Sequence, residues 1–207
     1  MKVYLVRHGE TEGMERGIRL GHLDMLSKEG IKQSQTLANR LSKINFDLIY
    51  SSPTIRAKDT CKIILSNRDV KRVIKLNELI ERKEASCFVG MPTDEVPWDY
   101  LKKHRLKRNW HYKDGESFDD IFSRAKKILE IFSKHKDKDH ILAMTHGSII
   151  RAVLAVVIFE DELTPRQYYR LTERAEILPA SITILEYTQK SFESIPSWKL
   201  VTWMDTD

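Results

Sequence analysis

Two histidines in this chain are each followed by a glycine, His8 in Arg7-His8-Gly9 and His146 in Thr145-His146-Gly147. Arg7 precedes the first, Arg56 lies between the two, and Glu78 and Glu81 supply carboxylates. Histidine has an unperturbed pKa of about 6.5, so a neutral imidazole is available near neutral pH. One ring nitrogen can attack phosphorus if the other keeps its proton on a backbone carbonyl. A nearby carboxylic acid can then protonate the leaving alkoxide and later take a proton from water. Such an acid should titrate above the ordinary Glu value of about 4.3 if burial outweighs the neighbouring arginines. Two guanidiniums beside two imidazoles repel a cation, so the set reads as no metal site. They suit an oxyanion, to which arginine offers a planar fork. Backbone N–H groups of Gly9, Gly147 and Ser148 at helix starts would add donors, and each glycine permits close approach to the ligand.

These residues act together only if the fold gathers them. Residues 2–6 alternate and read as a first strand. Ser27 offers an N-cap for a helix with Ile31, Leu37, Ala38 and Leu41 on its apolar side. Residues 46–50 form a short apolar run ending in Ser51-Ser52-Pro53, where Ser52 can cap a helix with Pro53 at its first position. Residues 70–76 read as a third strand. Residues 117–133 carry Phe118, Ile121, Phe122, Ala125, Ile128, Leu129 and Phe132 on one helical face, with Ser117 as cap. Residues 140–144 form the next strand, followed by an apolar helix, and 180–187 and 198–203 read as late strands. Alternating strands and helices predict an α/β three-layer sandwich, a mostly parallel sheet with helices on both faces. Ligands bind such sheets beyond the carboxyl ends of the strands. Arg7-His8-Gly9, Arg56, the Glu78/Glu81 pair and His146-Gly147 each follow a strand, so they are expected to converge on one edge.

The block Leu5-Val6-Arg7-His8-Gly9-Glu10-Thr11 resembles the histidine phosphatase superfamily, which includes the cofactor-dependent phosphoglycerate mutases. In chain order, Gly21-His22-Leu23-Asp24-Met25-Leu26-Ser27, Ser51-Ser52-Pro53-Thr54-Ile55-Arg56-Ala57, Asp114-Gly115-Glu116-Ser117 and Thr145-His146-Gly147-Ser148-Ile149-Ile150-Arg151 are similar to further family blocks. The resemblance implies that His8 carries the phosphoryl group while Arg7, Arg56 and His146 hold the phosphate. It also implies an acid after the third strand; Leu79-Ile80-Glu81 with Gly90 fits that spacing better than Leu76-Asn77-Glu78. Gly9, Thr11, Gly21, Gly147 and Ser148 join the set as phosphate or substrate contacts, Thr11 and Ser148 with cap or turn roles as the alternative. Two positions depart from the family pattern. Met14 stands where many members have asparagine, and Cys87-Phe88-Val89-Gly90 replaces an aromatic-acidic-glycine motif. Both bear on substrate recognition and leave the phosphate chemistry intact.

The expected activity is phosphomonoester hydrolysis through phosphohistidine, without metal or cofactor. The alternatives are phosphoglycerate mutase-type transfer and a non-catalytic phosphate- or RNA-binding protein. The resemblance implies a longer insert between acid and second histidine in mutases than the span from Glu81 to His146 here, which favours the phosphatase. The 207 residues suit a single domain, with 82–116 as a variable lid or substrate region. A formal charge of +5 is modest; it suits a small phosphorylated anion or a phosphoprotein and does not argue for nucleic acid. The basic stretch 102–113, interleaved with Trp110 and Tyr112, reads first as an exposed helix and loop. It reads second as a border of the site and third as a nucleic-acid contact. His22, His104, His111, His135 and His140 lack metal-ligand spacing and read as surface or structural. Cys61 and Cys87 read as buried free thiols in a reducing compartment. The longest apolar run, 149–159, holds Arg151 and is too short to span a bilayer, so a cytoplasmic location is expected.

Overall fold

The computed structural model describes residues 1–69, 72–135, 138–188 and 197–206. The chain runs β1 (Lys2–Arg7), α1 (Glu12–Glu15), α2 (Lys28–Leu41), β2 (Leu48–Ser51), α3 (Ile55–Leu65) and β3 (Ile74–Lys75). It continues through α4 (Trp98–His104), α5 (Phe118–Ser133), β4 (His140–Thr145), α6 (Gly147–Phe159), α7 (Pro165–Arg174), β5 (Ile182–Thr188) and β6 (Ser197–Asp205). The six strands form one sheet in the order β3-β2-β4-β1-β5-β6. Strands β3, β2, β4 and β1 are parallel; β5 and β6 are antiparallel additions at one edge. The sheet is mostly parallel, as the alternation of strands and helices predicts.

Side-chain alternation sets the layers. Val3 and Leu5 of β1 and Ile141 and Ala143 of β4 enter one apolar cluster with Phe118, Ile121, Ile128 and Phe132 of α5 and Ile150 and Val153 of α6. Tyr4, Val6, Leu142 and Met144 face the other way, onto Leu37 and Leu41 of α2 and Cys61 and Ile64 of α3. A period of two in each central strand therefore covers both faces with helices. Helix α5 begins with Ser117 as N-cap in a capping box with Asp120, the reciprocal arrangement that satisfies two free N–H groups.

Several boundaries differ from expectation for local reasons. Helix α2 is capped by Ser27, but its buried face is Gly30, Ser34, Leu37 and Leu41, with Ile31 41% exposed and Ala38 only partly covered. The helix is rotated because its first turn lies against the chain after β1. A Cβ on Gly9 would sit 2.5 Å from the Gly30 carbonyl oxygen, and one on Gly30 would collide with the Glu10 backbone. Helix α3 starts at Ile55 with Thr54 as N-cap, so Ser52 and Pro53 lie outside it. Of the third strand, only Ile74–Lys75 pairs with β2, and 70 and 71 lie outside the described residues. Ala180, expected within a strand, takes φ +56 just before β5 and donates its N–H to the His8 carbonyl at 3.2 Å.

Candidate active site

The register of the parallel strands brings the two histidines together. Arg7 pairs with Thr145 across β1 and β4, so the chain emerges at His8 and His146 side by side. Their ring centroids are 5.0 Å apart at an interplanar angle of 64°. Ser51 of β2 pairs with Met144, which delivers Ser52, Thr54 and then Arg56 to the same edge. Leu76 N–H donates to the Ser51 carbonyl, so the chain after β3 leaves from that edge as well.

Two hydrogen bonds define the state of His8. Nδ1 lies 2.6 Å from the Gly9 carbonyl oxygen, which only accepts, so the proton belongs on Nδ1. Nε2 then carries the lone pair, and it accepts from Arg56 Nε at 3.2 Å. His8 is 2% exposed. Burial first, and then the Arg56 and Arg7 charges, push its pKa well below the ordinary histidine value; the Gly9 carbonyl opposes them. His146 is fully buried, and burial followed by His8, Arg56 and Arg7 depresses it in the same direction. Its Nε2 is 2.9 Å from Ser52 Oγ and 3.3 Å from Thr54 Oγ1, whereas Nδ1 is buried with no protein partner.

The arginines are held from behind. Arg56, 3% exposed, donates to the Gly21 carbonyl at 2.6 Å. Arg7 donates to the Ile177 carbonyl and approaches Met14 Sδ at 3.7 Å, leaving its buried Nε without a partner. Burial lowers the pKa of both guanidiniums from the ordinary arginine value, and the Glu81 charge works against that shift in each. Glu81 accepts from Arg82 N–H at 2.8 Å and from Ser148 N–H at 3.4 Å. The loop that carries it is fastened by Arg124 of α5, which donates to the Glu78 and Ile80 carbonyls. Arg82 fastens it again, donating to Glu116 O at 3.0 Å and Tyr169 Oη at 2.9 Å.

A cavity of about 730 Å³ opens beside these groups, lined among others by Arg7, Arg56, Glu81, Gly147, Ser148 and Arg151; the buried rings of His8 and His146 are not among its lining residues. Gly21 and His22 also line it, so His22 borders this cavity as well as being exposed. Glu78 does not line it: its carboxylate meets Lys127 Nζ at 2.6 Å, and that hydrogen bond holds its pKa below the usual carboxylate range. Thr11 is fully buried and caps α1, accepting from Met14 N–H at 3.3 Å. Gly9 N–H is spent on Thr60 Oγ1 at 3.1 Å, and its missing side chain makes room for α2. Thr11 thus takes the cap role that was the alternative to substrate contact, and Gly9 N–H is directed to Thr60 rather than left open to an anion. Within 82–116, the cavity is lined by residues between Arg82 and Thr93, and the basic stretch 102–113 does not border it. That stretch is an exposed helix and loop carrying the ring contacts His104–Trp110 and Tyr100–His104. His135 and His140 meet Tyr50 and Tyr4, which is structural, and Cys87 is exposed, unlike buried Cys61.

Sequence reasoning did not find Ser52, Thr54, Arg82, Arg124 or Arg151. Ser52 and Thr54 flank Pro53 within the block that carries Arg56, a usable signal; Arg82 and Arg124 stand in ordinary charged surroundings and gave none. Among the described residues, no group of three or more His, Cys, Asp or Glu is placed to hold a metal ion, and no helix is long and apolar enough to cross a membrane.

A mostly parallel sandwich with paired imidazoles and guanidiniums at its carboxyl edge defines a phosphoryl-handling α/β protein. Residues 3–200 match the Histidine phosphatase superfamily (branch 1), and the chain belongs to that superfamily. It is 27% identical over 213 residues to a metal-independent phosphoserine phosphatase of Arabidopsis thaliana, covering 99% of this chain and 81% of that protein. It is 31% identical over 159 residues to a 2,3-bisphosphoglycerate-dependent phosphoglycerate mutase of Rhizobium etli, covering 72% and 76%. Among solved structures, the α-ribazole phosphatase from Shigella flexneri superposes with a TM-score of 0.78 at 22% identity, over 100% of this chain and 97% of that one.

Proposed function

We propose that the protein hydrolyses phosphomonoesters through a phosphohistidine on His8. The observation that carries this reading is the locked tautomer of His8, with Nδ1–H on the Gly9 carbonyl and the Nε2 lone pair turned toward Arg56. Nε2 attacks phosphorus, the P–O ester bond breaks, and the departing alkoxide takes the proton of the Glu81 carboxylic acid. Water then attacks the phosphohistidine, Glu81 takes a water proton, and the P–N bond breaks to return the lone pair to Nε2. Arg56 Nε–H, which rests on Nε2 without substrate, turns to a phosphoryl oxygen when phosphorus takes its place. Arg7 and Arg56 hold the non-bridging oxygens as charge redistributes. If Ser52 and Thr54 hydroxyls donate to Nε2 of His146, its unpartnered Nδ1 keeps a proton and donates to the same phosphoryl group.

Gly147, Ser148 and Gly21 border the phosphoryl pocket, and 82–116 forms the variable region of a single domain. The substrate is a small phosphorylated anion, or a phosphorylated protein side chain. The exposed free thiol of Cys87 suits a reducing, cytoplasmic location. The test is hydrolysis of p-nitrophenyl phosphate in excess EDTA by wild type and His8→Ala. Turnover persisting with EDTA and falling at least about a thousandfold in the variant supports the reading. Equal rates in the two proteins overturn it.

Likeness to the Rhizobium etli enzyme favours one second reading, transfer of the phosphoryl group to another hydroxyl. Incubation of 3-phosphoglycerate with a 2,3-bisphosphoglycerate primer separates the two. Formation of 2-phosphoglycerate faster than inorganic phosphate is the mutase outcome. Phosphate alone is the hydrolase outcome.

A further inference from the structure

The space in front of the phosphoryl pocket is bounded by two chain segments laced to each other through the backbone. Arg19 N–H donates to Met91 O at 2.9 Å, Gly90 N–H to Arg19 O at 3.0 Å, and Thr93 N–H to Gly17 O at 2.8 Å. An isolated antiparallel bridge joins Ile18 to Pro92. Gly21 has no Cβ where one would come within 3.1 Å of Val89 Cγ1. The two segments are held at a set spacing, and the cavity of about 730 Å³ lies within the span of roughly 300–1,000 Å³ typical of sites for drug-sized ligands. A phosphoryl group with a short polar tail fills only a small part of it.

Much of the remainder is apolar. Met14, Ile18, Leu20, Ile80, Phe88 and Val89 all line the cavity. The cations beside these apolar residues, Arg19, Arg82 and Lys83, are already engaged. Arg19 is paired with Glu84 and lies 5.3 Å over the Trp98 ring. Lys83 meets Asp114 at 3.2 Å, and Arg82 is committed to Tyr169 and the Glu116 carbonyl. Arg151 stands at the phosphoryl end, beside Arg7 and Gly147, and its Nε donates to the Ala175 carbonyl at 2.6 Å. A carboxylate on the leaving-group side would have to separate one of the Arg19 and Lys83 pairs, draw Arg82 off its neutral partners, compete with the phosphoryl group for Arg151, or rely on exposed His22. A carbon chain displaces only water, and gains in proportion to the apolar area it covers.

We infer that the preferred substrates are monoesters of uncharged, largely apolar alcohols of several carbons, rather than compact esters bearing a second anionic group. This inference rests on the hydrolytic reading above, so its test is a binding measurement that needs no turnover. Calorimetric Kd values for n-alkylphosphonates from propyl to heptyl are expected to tighten about three- to fourfold per methylene, or about 80- to 250-fold over the series. Butylphosphonate is expected to bind wild type more tightly than 3-phosphonopropionate, a carboxylate-bearing analogue of similar size. Val89→Lys should shift that preference toward the carboxylate about fivefold, a ratio that does not depend on the fraction of folded protein. Kd values indifferent to chain length, or tighter binding of 3-phosphonopropionate to wild type, overturn the inference. Length-dependent binding together with hexyl phosphate hydrolysis that survives His8→Ala would instead overturn the phosphohistidine reading and leave the apolar site standing.

Discussion

Stability should fall steeply on acidification because two imidazoles are sequestered in their neutral form. Both His8 and His146 are 2% exposed or less and have pKa values pushed well below the ordinary value, chiefly by burial and then by neighbouring positive groups. In the unfolded chain each titrates near 6.5. Above that pH neither state binds the proton, and the two histidines make no pH-dependent contribution. Below it the unfolded state binds protons that the folded state refuses, so acid favours unfolding until the folded-state values are reached. Each histidine contributes about 1.4 kcal/mol per pH unit at full slope, and the pair about 2.7 kcal/mol. The full slope is reached below about pH 5.5, where unfolded imidazoles are almost wholly protonated. Urea denaturation at half-unit steps from pH 7.5 to 4.5 measures it. His8→Gln should remove about half of the slope due to the pair, and His8→Gln/His146→Gln nearly all of it. Comparing slopes rather than midpoints removes the carboxylates common to all three proteins, and the cost of the lost hydrogen bonds. Identical slopes in wild type and the double variant would mean that the imidazoles titrate normally in the folded protein, and the sequestered site would be refuted.

Three further outcomes follow from the geometry. Glu81→Gln should slow hydrolysis of an alkyl phosphate about 10²–10⁴-fold and that of p-nitrophenyl phosphate much less, since nitrophenolate leaves without a proton; Glu78→Gln, which loses only its Lys127 pair, should alter neither rate by more than about twofold. Ser52→Ala removes the 2.9 Å partner of His146 and should lower kcat about fivefold with KM nearly unchanged, whereas Thr54→Val, at 3.3 Å, should do less; steady-state kinetics with one substrate compares them. Gly9→Ala would press a methyl to 2.5 Å from the Gly30 carbonyl, and urea unfolding should register a loss of about 1–3 kcal/mol.

Much of the site was legible as spacing along the chain. An arginine-histidine-glycine triplet after one strand, histidine-glycine after another and Arg56 after a third converge in any parallel sheet, because the carboxyl ends of parallel strands share an edge. The same logic did not discriminate between Glu78 and Glu81, three residues apart in a charged loop. Arg124 settles their placement: a guanidinium on a distant helix grips the Glu78 and Ile80 carbonyls, and Glu81 alone of the two carboxylates lines the cavity. The roles of Gly9 and Thr11 depended on tertiary contacts in the same way. Their sequence context fits phosphate binding, yet Gly9 N–H is spent on Thr60, and Thr11 is fully buried and accepts from Met14 N–H as a helix cap.

By itself, then, the sequence determined the main strands and long helices, though not α1 or α7, the mostly parallel sheet and the identity of most of the chemically competent side chains. Local periodicity, caps and residue type carry those, and none needs a distant partner. Only the tertiary structure decided which nitrogen of His8 holds the proton, which carboxylate lines the cavity, and that apolar side chains share its walls with an Arg19 and a Lys83 already paired. Those depend on contacts between residues such as Arg19 and Glu84, or Arg56 and His8, that lie tens of positions apart. Their electrostatic and packing energies exist only once the chain has closed on itself.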